Sequence, residues 1–226
     1  GLYLNDIGKV PLLTAEDASR LAPGLVVEAG DSFGRALATV AIAGSADRLF
    51  IGAPGDPGGL GAGLAASFHF SSGMGPLPGF TLSQTYLCCE GPPEVSEDGD
   101  GYGAELEAVD LDGDGYDELV AGVPNEDAAA GMVMLYSGES LAGFALARSY
   151  RIVDLFLDNG VSHAGSYFGE ALASGDFDGD GLGEVAIGAP VDDVGAVAAG
   201  SVYVVPEPIG SALGSAAAFA LALLGG

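Results

Sequence analysis

Two stretches of this sequence gather acidic side chains at spacings that can do chemistry. "DLDGDGYDE" runs from Asp110 to Glu118, and "DFDGDGLGE" runs from Asp176 to Glu184. Carboxylates at alternate positions of a tight loop can converge on one point, while the glycines between them let the backbone turn sharply. Calcium takes about six to eight oxygen ligands and mixes carboxylates with backbone carbonyls. This chemistry nominates Asp110, Asp112, Asp114 and Glu118, with the carbonyl of Tyr116, as one site. It nominates Asp176, Asp178, Asp180 and Glu184, with the carbonyl of Leu182, as a second, so two Ca2+ sites are expected.

Magnitudes favour a bound cation. Two like charges about 4 Å apart repel by roughly 4 kcal/mol at an effective dielectric near 20. Several such pairs in one loop exceed the whole stability of a typical domain, ~5–15 kcal/mol. The alternative is an open, solvated acidic turn. An EF-hand is excluded, because that loop needs a bidentate acid at its twelfth position and a helix after it. The twelfth positions here are Ala121 and Ile187, inside apolar runs. "EDGDG", Glu97 to Gly101, lacks the downstream pattern and reads as a further acidic turn.

No catalytic set accompanies the acids. His69 and His163 stand isolated in the sequence, and His69 alternates with Phe68 and Phe70, as an outward-facing or satisfied structural histidine would. There is no Gly-x-Ser-x-Gly elbow and no phosphate-binding glycine loop. The regular spacing of the acids suits ion binding better than a glycosidase pair. The expectation is a protein that is not an enzyme.

The elements that position these loops repeat. Tyr102-Gly103 lies eight residues before Asp110, and Phe168-Gly169 lies eight before Asp176. Downstream, both apolar runs end in Gly-x-Pro, at Gly122 to Pro124 and Gly188 to Pro190, and another strand-like run follows each. A third copy begins at Phe33-Gly34 and reaches "IGAP" at Pro54. The copies start at 33, 102 and 168, so three units of one supersecondary element are present. "ELVAGVP" and "EVAIGAP" are apolar on both alternating faces, as in a strand covered on both sides. About four strands fit in each unit, and four-stranded sheets in series are the blades of a β-propeller. A stacked β-sandwich array is the alternative.

These words resemble the FG-GAP repeats of integrin alpha-chain β-propellers. They are "FGRALA" and "IGAP" in the first unit, "YGAELE", "DLDGDGYDEL" and "AGVP" in the second, and "FGEALA", "DFDGDGLGEV" and "IGAP" in the third. The resemblance covers residues 30 to 205 and implies calcium loops at the positions nominated above, with Glu in place of the commoner Asp at the last. The first unit departs from it. "FGRALATVAIAGSADRLFIG" has no ladder of carboxylates, keeps Asp47, and places Arg48 where the last ligand would align. That unit is expected to be metal-free and closed by an ordinary turn. Propellers usually have about four to eight blades, so three imply an incomplete or open ring.

The ends carry two further resemblances. "VPEPIGSALGSAAAFALALLGG", from Val205, is similar to a PEP-CTERM sorting signal of Gram-negative bacteria, although the basic cluster of that signal is absent. It implies export and membrane anchoring, and a final strand or apolar helix on the body is the alternative. "LYLNDIGKVPLLTAED", Leu2 to Asp17, is similar to region 1.2 of bacterial primary sigma factors. The promoter-reading helices and basic surfaces of a sigma factor do not follow, so no transcription role is carried over.

Bulk composition agrees with this division. The 226 residues hold 39 Gly, 12 Pro and no Trp, a mix that favours short strands and tight turns. A net charge of -26, from 32 acidic and 6 basic residues, argues against nucleic-acid or anionic-membrane surfaces. Adjacent Cys88 and Cys89 set no disulfide framework and read as packing or free thiols.

The expected organisation is all-β. A short helical arm spans 1–29, repeats span 30–204, and an apolar tail spans 205–226. The expected function is a calcium-binding propeller module, extracellular or on the surface of a Gram-negative bacterium, that binds a protein or polysaccharide. Self-association through open blade edges is also expected. The first alternative is an extracellular hydrolase or its accessory domain. The second is a sigma-like, polymerase-binding segment fused to an unrelated domain.

Overall fold

The computed structural model describes residues 29–41, 46–55, 62–71, 75–84, 96–137, 145–150, 163–193, 198–205 and 219–222. Most of the N-terminal arm, including residues 2–17, and both cysteines lie outside them. The strands form three antiparallel sheets of four, each in sequence order. The first holds β1 (Leu37–Val40), β2 (Arg48–Ala53), β3 (Leu64–Ser71) and β4 (Gly75–Leu82). The second holds β5 (Leu106–Val109), β6 (Glu118–Val123), β7 (Met132–Ser137) and β8 (Ala145–Tyr150). The third holds β9 (Ala171–Gly175), β10 (Glu184–Ala189), β11 (Ser201–Val205) and β12 (Phe219–Ala222). The three repeats are therefore three blades of four strands, and among the described residues they close no ring.

The hydrophobic pattern explains how the blades stack. Every residue of β6 is buried, because its two faces feed two different cores. Leu119, Ala121 and Val123 join Phe50, Ala65 and Leu82 of the first blade. Val120 joins Val185, Ile187, Tyr203 and Val205 of the third. Burying each side chain of Leu or Val size contributes about 2 kcal/mol, so the blades hold one another largely through these two layers. Pro76 and Pro78 lie in β4, the outer strand of its sheet, where proline is tolerated better than in a central strand.

The aromatic-Gly and Gly-x-Pro words meet where blades join. Within each blade the aromatic-Gly amide donates to the Gly-x-Pro carbonyl: Gly34 to Gly52 at 2.9 Å, Gly103 to Gly122 at 3.0 Å, and Gly169 to Gly188 at 3.0 Å. Between blades, the Tyr102 N–H donates to the Ala62 carbonyl, and the Phe168 N–H to the Ala130 carbonyl at 3.1 Å. The backbones come so close that a Cβ on Gly122 would lie 2.1 Å from the Gly169 oxygen, and one on Gly52 equally near the Gly103 oxygen. Each opening aromatic then packs edge-on against its own blade, Tyr102 on Tyr136 and Phe168 on Tyr203, with centroids 6.4 and 5.5 Å apart.

Part of the apolar tail belongs to this fold. Phe219–Ala222 is the outermost strand of the third blade, with Ser201 opposite Ala222 and Val204 opposite Phe219. For these residues the final-strand alternative describes the structure, while Pro206–Pro208 lie outside the described residues. No helix among the described residues is long and apolar enough to cross a membrane.

Candidate metal centres

The two acidic loops occupy the same place in successive blades. Val109 pairs with Glu118 across the β5–β6 turn, and Gly175 pairs with Glu184 across the β9–β10 turn. Each loop therefore begins one residue past its first strand and delivers its last acid as the first residue of the second strand. The left-handed bends fall on glycines, Gly113 and Gly115 (φ 76 and 87) and Gly179 and Gly181 (φ 83 and 95).

Hydrogen bonding is the same in both. Asp110 takes the Gly113 and Gly115 N–H groups on its two oxygens, at 2.8 and 2.9 Å. Asp112 Oδ1 accepts from the Asp114 N–H, and Asp114 Oδ1 from the Tyr116 N–H. In the third blade Asp176, Asp178 and Asp180 repeat these bonds with Gly179, Gly181, Asp180 and Leu182. Glu118 Oε2 accepts from the Leu111 N–H at 3.0 Å, and Glu184 Oε2 from the Phe177 N–H at 2.6 Å.

Oxygens of Asp110, Asp112 and Glu118 lie within 4.8 Å of one another, as do those of Asp176, Asp178 and Glu184. Asp114 and Asp180 stay outside these triads, and Tyr116 and Leu182 lie on the same loops, donating their N–H groups to those two aspartates. Glu118 is 1% exposed. Its pKa is pushed up to about 7, first by burial and then by Asp112, Asp114 and Asp110, against the pull of the Leu111 N–H. A buried acid ringed by acids, with an all-oxygen donor set, fits a hard divalent cation and offers no soft ligand.

Each loop is also bracketed to the blade before it. Asp117 Oδ2 accepts from the Ala41 N–H at 2.9 Å, and the Asp117 N–H donates to the Ala41 carbonyl at 3.2 Å. In the next blade the Gly183 N–H donates to the Asp110 carbonyl at 3.1 Å. A Cβ on Gly113 would meet Leu182 Cδ2 at 2.7 Å, so the second loop leans on the first.

Residues 102–136 and 168–205 match the family described as FG-GAP repeat. In these two places the chain carries FG-GAP repeats. It is 29% identical to integrin alpha-PS2 of Drosophila melanogaster over 68% of this chain and 11% of that protein. It is 33% identical to integrin alpha-M of Mus musculus over 39% of this chain and 8% of that protein. The chain thus spans about a tenth of the length of these relatives. Residues 1–17 match the sigma-70 factor, region 1.2.

The first blade shares the FG-GAP frame without the acids. Val40 pairs with Arg48, so Arg48 holds the register position of Glu118. Its guanidinium lies 5.2 Å from the Phe80 ring centroid, and burial lowers its pKa. Among the described residues the acidic triads are confined to the second and third blades. Residues 42–45 of the first-blade turn lie outside the described residues.

The histidines behave differently from their sequence reading. His163 is not isolated: its Nδ1 lies 3.0 Å from Asp192 Oδ1. Ser166, Ser201 and Tyr203 hydroxyls also donate to Asp192, at 3.1, 2.6 and 2.5 Å. Burial works against this charge, but the four side-chain bonds together hold the Asp192 pKa below the usual carboxylate value. His69 is half-buried on β3, and its buried Nδ1 has no hydrogen-bond partner, so it is neither fully outward nor satisfied. The repeat alignment carried a signal for the Asp192 network. Ser166 and Asp100 both precede the aromatic-Gly by two residues, and Asp192 and Glu126 both follow the Gly-x-Pro by two. Asp100 and Glu126 are also buried and hydrogen-bonded to each other.

At the opposite ends of the strands from the acidic loops, a cleft of about 380 Å³ collects residues of all three blades. Arg35, Pro54, Pro124, Asn125, Tyr167 and Glu170 line it, presenting both charges beside an aromatic ring.

Proposed function

We propose that this chain is a calcium-stabilised FG-GAP module that binds a protein or polysaccharide ligand at the cell surface or in the matrix and performs no catalysis. One observation carries the reading: the same triad of acids recurs at the same register in two successive blades, with its buried glutamate short of donors. Asp110, Asp112 and Glu118 would hold one ion, and Asp176, Asp178 and Glu184 the other, with Asp114, Asp180 and the Tyr116 and Leu182 carbonyls completing the shells. The ions would neutralise each loop and fix the β5–β6 and β9–β10 turns. Ligand contact would fall to the far ends of the blades, where the three-blade cleft offers Arg35, Glu170 and Tyr167 together. The integrin alpha relatives support an adhesive role.

Isothermal titration of the chelator-treated protein with calcium tests this. Two ions per chain are expected, with Asp112→Ala losing one and Asp178→Ala the other. Absence of calcium binding in the wild type would end the metal reading.

A further inference from the structure

Four large hydrophobic side chains are exposed among the described residues: Leu37 (61%), Phe177 (53%), Val191 (41%) and Val202 (40%). Three of them follow a rule set by the repeat. Leu37 faces Ile51 across its sheet as Leu106 faces Ala121, and Leu106 is 2% exposed against the first blade. Val202 faces Gly188 as Val133 faces Gly122, and Val133 is fully buried against the third blade. Phe177 follows the first loop aspartate as Leu111 does, and Leu111 is fully buried in the same core. Each residue is exposed where its equivalent is covered by a neighbouring blade. Leu37 marks the rear of the first blade, and Phe177 and Val202 mark the front of the third.

The backbone at each end tells the same story. Phe168 enters its neighbour at a socket whose Ala129 and Gly131 are left-handed (φ 61 and 84), bridging Gly131 and donating to Ala130. The third blade repeats that socket: Ala198 and Gly200 have φ 51 and 77, but Ala198 and Ala199 are exposed. A Cβ on Gly131 would strike Phe168 backbone at 2.1 Å, whereas one on Gly200 would meet only its own blade's Pro190. At the other end, Gly34 is exposed and Phe33 only half-buried, where Tyr102, Gly103, Phe168 and Gly169 are all buried. Charge has also been removed from the open face. Ala171 and Ala173 stand where the second blade has Glu105 and Glu107, in a chain of net charge -26.

We infer that two copies of this chain associate head to tail, the Phe33-Gly34 end of one docking on the Ala198–Gly200 socket and the Phe177–Val202 face of the other. The occupant is dictated by the two interfaces already inside the chain, in which a blade front always receives an aromatic-Gly entry. Such a contact is heterologous and closes only if its rotation allows, and the described blades of two copies number six, within the usual range of about four to eight. Contact through sheet faces differs from pairing of outer edge strands.

Sedimentation velocity across a dilution series, with calcium present, is the test. A reversible dimer of the 22.3 kDa chain is expected. Val202→Glu and Leu37→Glu each charge an exposed position, so both should fold with unchanged circular dichroism. Each should weaken association about tenfold or more, as loss of a central apolar contact does. Mixing the two variants should restore heterodimers, because each retains the end the other has lost. A wild type that stays monomeric at every concentration overturns the inference. So does a dimer that neither charge disturbs, which would point to edge pairing, or one disturbed by Val202→Glu alone, which would point to a symmetric contact.

Discussion

Glu118 and Asp192 are equally buried, each 1% exposed, yet their surroundings treat charge in opposite ways. Asp192 gathers Ser166, Ser201, Tyr203 and His163 around its two oxygens and is held ionised. Glu118 has the Leu111 N–H and three neighbouring aspartates, and its pKa rises to about 7. The first acid has its counter-groups inside the chain. The second has been given too few, and on the proposed reading a divalent cation would make good the shortfall. The contrast sets a structural acid apart from the acid proposed to ligate, by donor supply rather than by burial.

The largest effect expected is from removing calcium. Binding to the folded state alone adds RT ln(1 + [L]/Kd), about 2.7 kcal/mol per site at one hundred times Kd. Two such sites add roughly 5 kcal/mol, so chelation with EGTA should lower Tm by about 10 °C or more for a chain of this size. Asp112→Ala with Asp178→Ala should remove most of that response in a calorimetric scan. Equal melting with and without EGTA would mean that Glu118 tolerates its surroundings unaided, and the contrast with Asp192 would lose its meaning.

Next in size is Asp192→Ala, which strands three hydroxyls and an imidazole in a buried site. A loss of about 3 kcal/mol is expected, whether or not calcium is present, measurable by urea denaturation. Because the folded pKa of Asp192 is depressed, its contribution is complete above the unfolded carboxylate value of about 3.9. It disappears as pH falls through the lower folded value. Asp192→Asn should therefore flatten the acid end of the stability profile, and an unchanged slope there would show that the network does not hold the charge.

Much of this was legible beforehand because the fold is periodic. The aromatic-Gly, acidic and Gly-x-Pro words sit at fixed offsets, and each does a local backbone job that needs that residue type, so three blades followed, and the acids that meet in each loop are among those nominated. Arg48 falls where the last ligand would align because strand register is set by the same offsets. What escaped was long-range. His163 and Asp192 are 29 residues apart, and only the folded blade brings them together. The openness of the third blade also does not show in its central strand. "EVAIGAP" reads as a strand covered on both faces, and β10 does have the pattern, but among the described residues only one of its faces has a neighbour. Hydrophobic alternation reports what a face can bury, not whether a partner is there.

The smallest and most discriminating change is Glu118→Gln. The amide keeps the shape and can still accept from the Leu111 N–H, but it removes one negative charge from beside Asp110, Asp112 and Asp114. Without calcium, at mildly alkaline pH where Glu118 is ionised, relief of like-charge repulsion should stabilise the variant by about 1 kcal/mol relative to wild type. With calcium the order should reverse, because the ion loses a charged ligand. The crossing of the two urea midpoints is the readout, and it isolates the ligating role from packing, since a purely structural Glu118 would shift both conditions in the same direction. Asp192→Asn provides the control, with a midpoint below wild type in both.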